Sequence, residues 1–260
     1  MLRLVGIELL KLRTTRLTYG LFLAASGLSI LFAAMAGARA GAGSIPPLAS
    51  AAGLAAVSDV VGYALLLALV LGITVSTGEF RLGTATLTYL ATPKRTMVLA
   101  AKALAAAVAG AVFGLAGGIT TTGVSLVFVA AKGDHVALGS ATLVAHIAGA
   151  TLAGALLAVV GVGLGSLVRG QLGAVIGVFL WSVIGESVLD GIYPSIGRYL
   201  PFTTAASLAG SKIGGAFYAA GGAISGPAPL PFGAAAALVA GVAVLASVLA
   251  AATTLSRDIT

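Results

Sequence analysis

Residues Leu99–Ala131 read LAAKALAAAVAGAVFGLAGGITTTGVSLVFVAA, a run whose one charge, Lys102, is its fourth residue. A helix needs about 20 apolar residues to cross the roughly 30 Å of hydrocarbon in a bilayer. This stretch is longer, so it has length to tilt or to project beyond the membrane. Five more such runs surround it. Before it lie Leu17–Ala38 and Val57–Thr77, the latter with Asp59 at its edge; after it lie Thr142–Val168, Leu172–Leu189 and Phe232–Leu255. The predicted fold is all-α and polytopic, with six membrane spans.

Composition leads to the same place. Of the 260 residues, 59% are hydrophobic and only 8% charged, against about 25% charged in soluble domains. Too few charges remain to cover a water-facing globule of this size. Alanine and glycine dominate, which suits helices that pack backbone against backbone in lipid. The chain has no cysteine, which excludes disulfides, thiolate catalysis and thiolate metal sites. The basic residues form no stripe interleaved with aromatics, so nucleic acid is not an expected partner.

The basic residues also orient the chain. With the N-terminus inside, the inner segments carry Arg3, Lys11, Arg13, Arg16, Arg81, Lys94, Arg95, Lys102, Arg169 and Arg257. The outer segments carry only Arg39, Lys132, Arg198 and Lys212. This asymmetry places both termini in the cytoplasm. Leu17–Ala38 exceeds the roughly 7–15 residues of a signal-peptide core, so it is expected to stay as an anchor. Residues 1–16 are expected to form an interfacial helix, with Leu2, Val5, Leu9 and Leu12 on one face and Arg3, Glu8 and Lys11 on the other. Arg13 and Arg16 stand where they can snorkel to lipid phosphates.

Several features are candidates for more than spanning. Gly110, Gly114 and Gly118, Gly161 and Gly165, and Gly173 and Gly177 repeat at four-residue spacing and are read as packing strips. Glu186 falls about fourteen residues into the fifth span, roughly 21 Å along it. It is either an outer gate or substrate-contacting carboxylate, with Arg198 as a candidate partner, or a charge paired or hydrated at the span's end. His146 is expected to be an interfacial or hydrogen-bonded histidine, because no second ligand stands at metal spacing. Trp181 lies deeper than the other aromatics, with packing or a cavity wall as its roles. Residues 190–231 are expected to be extracellular. Within them Pro201–Gly222 holds Lys212 and is read as short helices that dip into or lie on the outer leaflet.

The loop Gly78–Lys102, GEFRLGTATLTYLATPKRTMVLAAK, combines charges with a potential short helix over Thr84–Thr92. Its GEFRLGT, TPKR and AAK strings resemble the cytoplasmic loop of type-2 ABC exporter permeases. Glu8–Arg16 (ELLKLRTTR) resembles the N-terminal elbow of that family, and Arg198–Leu208 (RYLPFTTAASL) its extracellular stretch between spans five and six. The resemblance implies the membrane subunit of an ATP-driven transporter in a bacterial cytoplasmic membrane, working as an exporter by alternating access. It further implies that Glu79, Phe80, Arg81, Gly83, Thr84, Pro93, Lys94 and Arg95 serve an ATPase-coupling loop, and Glu8, Lys11 and Arg13 the elbow helix.

No GxxxxGK[ST] phosphate loop is present. The chain is therefore expected to be non-catalytic, with no cofactor of its own; ATP and magnesium would be held by a separate ABC ATPase subunit. The resemblance also implies a second permease copy, identical or related, beside the surrounding membrane lipid. The alternatives are an ion- or proton-coupled secondary transporter, which usually keeps charges or broken helices at the midplane, and a non-transport membrane assembly protein.

Overall fold

The computed structural model describes residues 1–42, 46–50, 53, 57, 59–83, 95–133, 139–168, 170–210 and 230–254, without the side chains of 80–82 and 253–254. Among these residues the chain is helical and carries no strand. The helices are α1 (Leu2–Thr14), α2 (Arg16–Arg39), α3 (Gly62–Leu82, entered through a 3-10 turn at Asp59–Val61), α4 (Arg95–Lys132) and α5 (Ser140–Val168). Next come α6 (Gln171–Ile192), the short α7 (Pro194–Gly197) and α8 (Pro201–Leu208), and finally α9 (Phe232–Leu249), which runs on into a π turn. Six of them (α2, α3 with its entry turn, α4, α5, α6 and α9) are long and apolar enough to cross a membrane. The chain is a helical membrane protein with six spans among the described residues.

α3 is the most enclosed span, packed among α2, α4 and α5. The α4–α5 seam is built on glycine. A Cβ on Gly110 or Gly114 would strike the carbonyls of Gly154 or Ala150, so the two backbones meet with no side chain between them. Close backbone contact matters here because lipid is as apolar as the helices and hydrophobicity does not draw them together. The Gly161/Gly165 strip packs in the same way against α3. Gly173 and Gly177 form no such close seam among the described residues: both are exposed, a Cβ on Gly173 would only reach Val168 at 3.9 Å, and one on Gly177 would meet nothing within 4 Å.

Several hydroxyls inside the spans are satisfied locally, although Ser29 Oγ and Thr122 Oγ1 are buried without a hydrogen-bond partner among the described residues. Thr77 Oγ1 donates to the Ile73 carbonyl at 2.8 Å, Ser125 Oγ to Thr121 at 2.8 Å and Thr151 Oγ1 to Ile147 at 2.7 Å. Bonding back to the preceding turn lets a span carry Ser and Thr without an orphaned polar group. Large apolar side chains point outward from the less enclosed helices, among them Leu23 and Ile30 on α2, Leu172 and Ile176 on α6, and Val244 and Leu245 on α9. Trp181 is half exposed on this outer surface.

Two helix ends differ from the sequence expectation in ways that shape the functional site. The second span was expected to end at Thr77, but no breaker stands there, and the helix continues to Leu82. It stops at Gly83, whose φ of +69° lies in the left-handed region that glycine adopts without strain. The third span was expected to begin at Leu99, but the helix already starts at Arg95. Glu79 and Lys102 therefore stand on rigid helices, not in a loop.

The segment after the fifth span is described as far as residue 210. α8 is buried through Phe202, Thr204, Ala205, Ala206 and Leu208, and packs on α5 and α9. It is covered by protein, not laid on a surface. Lys212 and residues 211–229 lie outside the described residues.

Candidate functional site

α1 packs across the ends of α3 and α4. Its inward face carries Leu4, Val5, Glu8, Leu9 and Leu12, while Leu2, Ile7 and Leu10 face out. The expected division put Leu2, Val5, Leu9 and Leu12 on one face and Glu8 on the other; instead Glu8 is buried beside Val5, Leu9 and Leu12, and Leu2 faces out. Glu8 turns inward because its charge is met there.

Four charged side chains from three helices close a ring. Lys11 Nζ lies 2.7 Å from Glu8 Oε1 and 2.7 Å from Glu79 Oε1. Lys102 Nζ lies 3.3 Å from Glu8 Oε2 and 3.0 Å from Glu79 Oε1. Each carboxylate thus meets both ammoniums, and the ring is neutral. Lys102 also approaches the Val75 carbonyl at 3.3 Å, where α3 has an acceptor to offer. Glu8, Glu79 and Lys102 are buried, while Lys11 remains partly exposed. Burial alone would depress the Lys11 pKa. The hydrogen bonds from Glu79 and Glu8, with their charges, outweigh it and hold the ammonium above the usual lysine value.

Burying four ions is costly unless all are paired, and removing one member strands the others. The ring therefore makes α1, the end of α3 and the start of α4 a single mechanical unit. It stands beside both ends of the segment that joins α3 to α4.

The predicted coupling residues divide around it. Glu79 belongs to the ring, Gly83 closes α3, and Arg95 opens α4. Phe80 and Arg81 continue the α3 backbone, with side chains outside the described residues. Thr84, Pro93 and Lys94, with the short helix expected over Thr84–Thr92, also lie outside them. Of the elbow residues, Glu8 and Lys11 join the ring but Arg13 does not; its side chain is exposed and its carbonyl accepts from Tyr19 Oη at 2.8 Å. Lys102 is the member that sequence reasoning missed as a site residue. The signal was present, since a lysine inside an apolar run needs a partner.

A comparison with family models, curated proteins and solved structures finds no match.

A second polar arrangement lies at the opposite end of the spans. α6 contains a π-helical stretch, Leu180–Gly185, directly before Glu186, and such widened turns often mark functional positions. Glu186 is almost wholly buried, and its carboxylate receives the first turn of α8. Phe202 N donates to Oε1 at 3.0 Å; Thr203 N and Thr203 Oγ1 donate to Oε2 at 2.8 and 3.0 Å. Free amide N–H groups and the positive dipole end make a helix N-terminus a natural seat for a carboxylate. The expected Glu186–Arg198 pair does not form. Arg198 instead stacks 4.8 Å from the Tyr199 ring centroid and donates to its hydroxyl.

The other end of α8 is also held. His146 Nδ1 donates to the Ala209 carbonyl at 2.6 Å, and its Nε2 meets Thr121 Oγ1 at 3.1 Å. A carbonyl only accepts, which fixes the proton on Nδ1. His146 is thus the hydrogen-bonded histidine expected from the sequence. It ties the end of α8 to α4 and α5. Among the described residues no group of His, Cys, Asp and Glu is arranged to hold a metal.

Proposed function

We propose that this chain is the permease subunit of an ATP-driven ABC exporter. It would work in a bacterial cytoplasmic membrane with both termini inside, together with a separate ABC ATPase and a second permease copy. The observation that supports this reading most is the buried ring of Glu8, Lys11, Glu79 and Lys102. It locks three helices together where the sequence carries its coupling-loop resemblance. A soluble partner pressing on residues 83–95 would move α1, α3 and α4 as one body, which is what alternating access driven from the cytoplasm requires.

In this reading the chain has no catalytic residue and binds no cofactor. ATP and magnesium belong to the partner subunit. α8, held at one end by Glu186 and at the other by His146, closes the outer side of the pathway. Transport then consists of inward pushes on one end of the bundle answered by movement of α8 at the other.

The test is co-purification with a phosphate-loop ATPase, sought among the products of neighbouring genes, followed by charge reversal at Arg81, Lys94 and Arg95, which spares the buried Glu79. The reading expects lost association, or lost stimulation of ATP hydrolysis, with membrane insertion intact. Full stimulation by the triple reversal would remove the docking assignment. Transport driven by an ion gradient without ATP would favour a secondary transporter.

A further inference from the structure

The ring that joins α1 to the bundle also settles which basic residues remain for an outside partner. Seven basic or acidic side chains cluster around α1 and its junctions: Arg3, Glu8, Lys11, Arg13, Arg16, Glu79 and Lys102. The sequence alone does not say which of these cations are neutralised within the chain. The structure divides them. Lys11 and Lys102 are committed to Glu8 and Glu79, and both carboxylates are used up by them. Arg3, Arg13 and Arg16 are exposed and have no acidic partner among the described residues.

These arginines do not stand on a water-solvated face. Arg3, Ile7 and Leu10 follow one another at four- and three-residue spacing, so they share one stripe of α1. Ile7 is 50% exposed, Leu10 60% and Leu2 88%. An outward stripe of large aliphatic side chains flanked by unpaired guanidiniums fits the boundary between acyl chains and headgroups. The aliphatic groups enter the hydrocarbon while each guanidinium presents its planar fork to a phosphate.

We infer that the outward face of α1, with the start of α2, is a binding surface for acidic phospholipid, with Arg3 and Arg13 on α1 and Arg16 on α2 as its headgroup contacts. Zwitterionic lipid brings its own ammonium to each phosphate and leaves these three charges uncompensated. An anionic headgroup neutralises them. Lys11, although basic and on the same helix, takes no part, because its ammonium already bridges two carboxylates. Lipid selection by α1 requires only that the chain sits in a bilayer, whatever it transports.

The test uses the purified full-length protein in phosphatidylcholine bilayers, with spin-labelled phosphatidylglycerol and spin-labelled phosphatidylcholine as probes. The motionally restricted fraction of each is read by electron paramagnetic resonance. The wild type is expected to hold phosphatidylglycerol several-fold more strongly, and added salt should weaken the preference. R3Q/R13Q/R16Q should bring the two probes to parity, R3K/R13K/R16K should keep the preference, and R39Q/K132Q, which removes charge from the other end, should also keep it. Equal affinity in the wild type, or a preference that survives R3Q/R13Q/R16Q, overturns the assignment. A lysine variant at parity would overturn the electrostatic account, and a loss in R39Q/K132Q would move the site away from α1.

Discussion

Lys102 Nζ sits 3.0 Å from Glu79 Oε1 and so joins the first helical turns of α4 to the last of α3 across the segment between them. Both side chains are nearly removed from solvent. Their attraction is therefore weakly screened, and their isolation from one another would be severe. Replacing Lys102 by Met leaves Glu8 and Glu79 with only Lys11, and is expected to cost about 3–5 kcal/mol of stability. The double variant E79Q/K102M removes one carboxylate and one ammonium together and leaves the Glu8–Lys11 pair, so it should lose less than the sum of E79Q and K102M. A double-mutant cycle of thermal unfolding in detergent measures both, and additive single-variant costs would show that the two side chains do not couple.

Glu186 is expected to hold α8 in place through its three acceptor contacts. Glu186→Ala would leave buried donors without a partner, each costing about 1–3 kcal/mol. Glu186→Gln keeps one acceptor oxygen and should fall between alanine and wild type. The chain has no native cysteine, so a single T204C reporter gives no background labelling. Maleimide should react slowly with T204C alone, fastest with E186A and at an intermediate rate with E186Q. Equal rates in all three would mean that Glu186 does not retain the helix.

His146 anchors the other end of α8 through the Ala209 carbonyl. His146→Ala should also accelerate labelling of T204C. The two anchors lie at opposite ends of the helix and share no partner, so their effects on unfolding free energy should add. Strong non-additivity would show that α8 leaves its seat as a single cooperative piece.

Glycine positions separate packed from open surface. Gly114→Val drives a side chain into the Ala150 carbonyl, and overpacking of this kind costs about 1–3 kcal/mol or more. Gly177→Val meets nothing within 4 Å in the chain and should unfold within about 0.5 kcal/mol of wild type. Similar melting temperatures for the two variants would contradict the α4–α5 seam.

The ring also makes stability depend on alkaline pH. In the unfolded chain Lys11 loses its proton near the ordinary value of 10.5, and in the folded protein it does so above that. Its contribution is therefore complete below 10.5 and disappears as the pH rises through the raised folded value. Wild type should lose melting temperature over that alkaline window, and K11M should show a smaller decline. Parallel curves would mean that Lys11 gains no stabilisation from its two carboxylates.

The six spans were readable because hydrocarbon imposes a severe filter: about 20 apolar residues in succession leave few other folds. The glycine strips at Gly110/Gly114 and Gly161/Gly165 were legible for a related reason, since small residues allow close approach. Their partners were not legible, and Gly173/Gly177, with the same spacing, forms no close backbone contact among the described residues. Glu8, Lys11 and Glu79 were singled out by resemblance, and Glu186 as a charge within a span. None of their partners followed from sequence. Arg198 was the nearest opposite charge in sequence to Glu186, but the first turn of α8 offered two backbone amides and the Thr203 hydroxyl and took its place.

The sequence by itself determined that this chain dissolves in a bilayer as six helices, because the cost of burying charge and unpaired backbone in lipid depends on residue type and run length alone. Only the tertiary structure decided which charges neutralise one another, which carboxylate caps which helix and which glycines touch. Those outcomes depend on distances of a few ångströms between segments as far apart in the chain as Glu8 and Lys102. No local pattern of residues encodes them.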